Sequence, residues 1–174
     1  IDDWSSNAIA LVEKFDDRHY GLRYSSGQRE YTKFLSSNDY LSVTRFDYKN
    51  GKAILAGYFK GALDYADNHL GHAAETSGFV LVLDDSVGIS GFSVLQNIKT
   101  DIPLTLDHTN DKWSISCVAK SNWVGINNEI HENILTGNAF NLAVNQHVYV
   151  RILNNVLNNY SAQTMKKTVY SKVN

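Results

Sequence analysis

The sequence predicts an α+β fold: a single domain over residues 1–174 with a split antiparallel β core. Three observations predict it. Apolar residues recur at helical spacing near the start of the chain and again after Gly51. Short apolar or alternating runs, bounded by Gly, Asn and Asp, fill most of the rest. The resulting order is helix, two strands, long helix and many strands, which segregates the helices from a mostly antiparallel sheet system.

Each element rests on its own residues. Trp4, Ala8, Leu11, Val12 and Phe15 fit one helix face, and Ser5 or Ser6 can cap its start. His19 to Ser25 reads as a short strand, and Tyr40 to Phe46 as a second. Asn50-Gly51 punctuates the chain. Ile54, Leu55, Tyr58, Phe59, Ala62, Leu63, Tyr65 and Ala66 then share one face of a helix expected over Lys52–His69. Phe79 to Leu83 is a continuous apolar run between Gly78 and Asp84-Asp85, the pattern of a fully buried strand. Trp113 to Val118, Trp123 to Ile126, Ile130 to Leu135, Phe140 to Val144 and His147 to Leu153 are short strand candidates.

Composition excludes several classes. Sixteen basic and eighteen acidic residues give a net charge of -2, so nothing drives the chain electrostatically onto nucleic acid. No apolar run approaches the roughly 20 residues of a helical membrane span. The one cysteine, Cys117, excludes an internal disulfide and a cysteine-clustered zinc site. Ile1-Asp2-Asp3-Trp4 has neither a basic nor an apolar leader segment. That opening is expected of a mature product or of a domain cut from a larger protein.

Three groups of residues are candidates for chemistry. His69 and His72 stand three apart, but no third ligand follows at a metal-site spacing, so no metal is expected. Cys117 and His131 could form a thiolate pair across adjacent strands, as in glutamine deamidase toxins. The most coherent group is an ordered series. Leu22-Arg23-Tyr24-Ser25-Ser26 is followed by Ser42-Val43-Thr44, the expected long helix, and Gly78-Phe-Val-Leu-Val-Leu83. Asn127 to Leu142 then carries Glu129 and Glu132 ahead of Gly137 and Phe140.

This series resembles the mono-ADP-ribosyltransferase toxins of the arginine–serine–glutamate class, the cholera and pertussis type, over roughly Tyr20 to Val150. Ser42-Val43-Thr44 stands where that family has Ser-Thr-Ser. The resemblance implies NAD as a substrate and transfer of ADP-ribose to a host protein. Glu132, or alternatively Glu129, would be the catalytic acid. It would stabilise the positive charge that develops on the ribose as the nicotinamide bond breaks. Arg23 would bind a phosphate of NAD. Ser42 and Thr44 would orient the acid, and Tyr58 or Phe59 would stack on nicotinamide.

Ile130 precedes Glu132 by two, where the family uses Glu or Gln to engage an arginine acceptor. The expected acceptor is therefore another side chain, such as threonine, asparagine, glutamine or cysteine. Actin and GTPases are the first candidate partners. The implied setting is a secreted bacterial toxin or effector, delivered by a larger toxin or a secretion system, acting in the target-cell cytosol.

A second reading comes from the β-rich second half. Trp113 and Trp123 could stack on sugars while Asn127, Asn128 and Asn133 bond hydroxyls, as in a carbohydrate-binding or phage tail-fibre-like module.

Overall fold

The computed structural model describes residues 8–16, 18–26, 29–84, 87–120, 125–126, 129–130, 135–136 and 139–153. Among them there is no helix, and the fold is all-β. This overturns the α+β expectation, together with its N-terminal helix and its long helix after the second strand. None of the described residues forms a helix long and apolar enough to cross a membrane. The chain divides into two compact units, Ile1–Phe92 and Ser93–Asn174.

The first unit is an antiparallel meander. Its strands are β1 (Ala8–Asp16), β2 (His19–Ser26), β3 (Arg29–Ser37), β4 (Tyr40–Lys49), β5 (Lys52–Tyr65) and β6 (Asn68–Leu83). The expected first helix is β1, paired along β2 from Ala8↔Ser25 to Asp16↔His19. Register shifts between Leu11 and Glu13 and between Lys14 and Asp16 add residues to the strand. They push the apolar positions out of the two-residue period, which is how Leu11, Val12 and Phe15 come to mimic a helix face.

β3 and β4 run as one interrupted strand along the same edge of β5. Leu35 pairs with Tyr65 and Tyr40 with Lys60, in a shared register, with Asn38 and Asp39 as the break between them. The break is held by side chains. Ala62 N–H donates to Asn38 Oδ1 at 2.8 Å, and the buried Ser37 hydroxyl donates to the Lys60 carbonyl at 2.5 Å. Opposite it, Gly61 takes φ +87°, a backbone state costly for any residue with a Cβ. The expected strand from Tyr40 to Phe46 is the start of β4, which turns into β5 through Asn50 (φ 53°) and Gly51 (φ 77°), the geometry of a type I′ hairpin turn.

The expected long helix is β5. Every residue from Ala53 to Phe59 is buried, and so is every residue from Ser77 to Leu83 on β6, its partner. A strand buried on both faces is apolar at consecutive positions. Such a run satisfies a helical template without being helical. Two glycines argue for the strand. Gly57 and Gly61 would each cost about 1 kcal/mol inside a helix. In the sheet, Gly57 lets the backbone of Ser42 and Val43 approach where a Cβ would stand.

The far half of this hairpin closes a smaller core with β2 and β3. Tyr20, Leu22, Tyr24, Leu35, Leu63 and Tyr65 are buried there. The Tyr65 hydroxyl donates to the Val87 carbonyl at 2.6 Å, which satisfies its one polar atom inside that core.

β7 (Ile89–Leu95) crosses the boundary between the units. The second unit holds β8 (Thr105–Thr109), β9 (Lys112–Val118), β10 (Gly125–Ile126), β11 (Glu129–Ile130), β12 (Leu135–Thr136), β13 (Ala139–Asn145) and β14 (Val148–Leu153). A five-stranded sheet runs in the order β12-β13-β14-β9-β8. β9 and β14 pair in parallel, from Trp113↔Val148 to Val118↔Leu153, and the other pairs are antiparallel. Strict alternation puts Trp113, Ile115 and Cys117 of β9 and Val148, Val150 and Ile152 of β14 in the core.

Cys117 is 2 % exposed, and burial pushes its thiol up from an ordinary 9.0 to about 12. The folded state therefore holds this proton more tightly than the unfolded chain does. The contribution to stability is complete below pH 9 and is lost as pH rises towards 12. Denaturant titrations are expected to show a falling midpoint across that window, and Cys117→Ala is expected to flatten the slope. An unchanged alkaline slope in Cys117→Ala would contradict the assignment.

Candidate functional site

The residues expected to handle NAD are not gathered by the first unit. Arg23 lies on β2 opposite Thr32 of β3. Its Nε is 3.1 Å from Glu30 Oε1, and the two side chains are about half exposed. Ser42 lies on β4 opposite Tyr58 of β5, so these two are cross-strand neighbours. Ser42 is ten residues along the β3–β4 line from Thr32, a run of roughly 30 Å at strand rise. Thr44 stands at the β4 register shift, where its hydroxyl donates to the Ala56 carbonyl at 3.4 Å. Tyr58 is 8 % exposed and Phe59 is fully buried, so neither ring is presented for stacking. Glu129 lies on β11 in the second unit, while Glu132 and His131 lie outside the described residues.

The other candidates sort as clearly. A nucleophilic cysteine needs a lowered pKa, and Cys117 has the opposite shift. Trp113 is a core residue, 2 % exposed, with its ring set edge-on to His108 at 5.1 Å. It cannot serve as a sugar platform. Trp123, Asn127, Asn128 and Asn133 lie outside the described residues. No three His, Cys, Asp or Glu side chains among the described residues form a group able to hold a metal ion.

A different surface stands out: the outer face of β2, β3, β5 and β6 in the first unit. Tyr20, Leu22 and Tyr24 of β2, with Leu35 of β3, point into the core. Alternation sends His19, Gly21, Arg23 and Ser25 the other way. Their partners Ser36, Phe34, Thr32 and Glu30 share that outer face. The row continues through Ser36↔Asp64 and Asp64↔His69, so His19, Ser36, Asp64 and His69 cross four strands in line.

Phe34 lies at the middle of this face and is 46 % exposed. Its cross-strand partner is Gly21, which is buried. An aromatic ring opposite a strand glycine covers the bare backbone there. The hydroxyl residues Thr32 and Ser36 flank it two places away on its own strand, and His19 and Arg23 flank Gly21 on the neighbour.

Charge around Phe34 is held in pairs. Arg23 meets Glu30, and His69 Nδ1 lies 2.8 Å from Asp64 Oδ1. His19 Nδ1 lies 2.9 Å from Asp16 Oδ1. A hydrogen bond with His19, then one from the Arg18 backbone N–H, holds the Asp16 carboxyl below its ordinary value.

The sequence signal for this face was partial. His19 to Ser25 alternates visibly, but β3 (Arg29–Ser37) was missed. Lys33 shares the inward side with Leu35 and breaks the apolar period. Compared with known proteins, the chain matches no family model, no curated protein and no solved structure.

Proposed function

We propose that the chain is a β-rich module that binds carbohydrate through the outer face of β2 and β3. The observation that carries this reading is Phe34, a half-exposed ring on an open sheet face between hydroxyl, imidazole and guanidinium side chains. A sugar ring pairs an apolar C–H face with a rim of hydroxyls. An aromatic ring takes the first, and convergent polar groups take the second. Pairing across four strands sets the spacing of the backbone that carries these groups before a ligand arrives, which lowers the ordering cost of binding. The all-β fold supports the reading further, because the segment expected as a long helix is strand β5.

A screen of immobilised oligosaccharides, followed by calorimetry on the best probe, tests it. Phe34→Ala is expected to weaken binding by about tenfold or more, the loss typical of truncating a central aromatic anchor. Phe34→Tyr is expected to retain binding. Failure of every oligosaccharide to bind would end this reading. NAD hydrolysis by the purified chain, abolished by Glu132→Gln or Glu129→Gln, would favour the transferase instead.

A further inference from the structure

We infer that the sugar taken by the Phe34 face is neutral rather than acidic, an inference that rests on the carbohydrate reading above. Recognition of a uronate or sialate carboxylate calls for a guanidinium that can present paired N–H groups. The guanidinium on this face is Arg23, and Glu30 already holds its Nε at 3.1 Å. An incoming carboxylate would be left with the Nη N–H groups and would lie close to the negative charge of Glu30.

The row from His19 to His69 is equally unsuited to an anion. Asp64 stands in the row beside Ser36, and Asp16 stands at the His19 end. Around Phe34, His19, Arg23 and His69 each have a carboxylate beside them, so an added anion meets negative charge at every one of these groups. A neutral sugar escapes this conflict, because it asks only for the Phe34 ring and for hydrogen bonds to Thr32, Ser36 and the edges of the ion pairs.

The test compares neutral probes (cellohexaose, mannohexaose and galactohexaose) with acidic ones (a hyaluronan hexasaccharide, a polygalacturonate hexamer and sialyllactose), using the full chain. At least one neutral probe is expected to bind. Its affinity should change by less than about threefold between 50 and 500 mM NaCl, because no ion pair forms with it. Acidic probes are expected to bind at least about tenfold more weakly. Glu30→Gln removes the negative charge beside Arg23 and is expected to narrow that gap. Preferential binding of an acidic probe with a steep salt dependence would overturn the inference while leaving the carbohydrate reading standing. Binding of no probe would overturn both.

Discussion

Gly57→Ala is expected to unfold the first unit or to destabilise it by about 3 kcal/mol or more. A Cβ on residue 57 would stand 1.9 Å from the Ser42 carbonyl oxygen and 3.0 Å from the Val43 Cα. Both obstacles are backbone, so no rotamer change relieves them. The strand would have to move away from β4 just where the register shift after Val43 brings the chains together. Residues 53–59 and 77–83 are buried on both faces, so that displacement would disturb the largest apolar block of the unit. Chemical denaturation followed by tryptophan and tyrosine emission measures the loss. A stability within about 0.5 kcal/mol of the parent chain, the range of an ordinary surface substitution, would mean that β4 and β5 do not pair as described.

Gly61→Ala is the second large effect, and its cause has two parts. The left-handed φ of +87° costs an L-residue roughly 1–2 kcal/mol. The new Cβ would also stand 2.2 Å from Asn38 Oδ1, the atom that accepts the Ala62 N–H. Losing that hydrogen bond adds about 1 kcal/mol. The expected total is about 2–3 kcal/mol. A double-mutant cycle separates the parts. Asn38→Ala removes the obstructing oxygen, so Gly61→Ala is expected to cost less in that background. Equal costs in both backgrounds would show that the Asn38 carboxamide does not hold the break between β3 and β4.

These two glycines also show how much of the fold was legible. Strands with one wet face announced themselves. His19 to Ser26 and Lys112 to Val118 alternate, and both were expected as strands within a residue or two. The buried run at Phe79 to Leu83 was also read as strand, because Gly and Asp bracket a segment too short for a helix. The failures have definite causes. β5 is apolar on both faces, so its period is invisible and its length of 14 residues resembles a helix. β1 carries two register shifts that scramble the alternation. The discriminating signal in β5 was the pair Gly57 and Gly61, poor helix residues that the sheet requires.

The candidate site was less legible than the fold. Ser42, Thr44 and Arg23 were chosen for their order along the chain, which says nothing about register. Register is what separates Arg23 from Ser42 and sets Arg23 beside Thr32 and Glu30. Phe34 gave no signal, since Lys33 breaks the apolar period of its strand. Only its pairing with Gly21 and its exposure single it out.

The most direct test of the binding account is a two-dimensional nitrogen–proton NMR titration of the labelled full chain with a neutral hexasaccharide that binds it. The account predicts shift changes concentrated on the amides of His19 to Ser25 and Glu30 to Ser36, extending to Asp64 and His69, and absent in Phe34→Ala. Changes confined to residues of the second unit, or a pattern unaltered by Phe34→Ala, would contradict it.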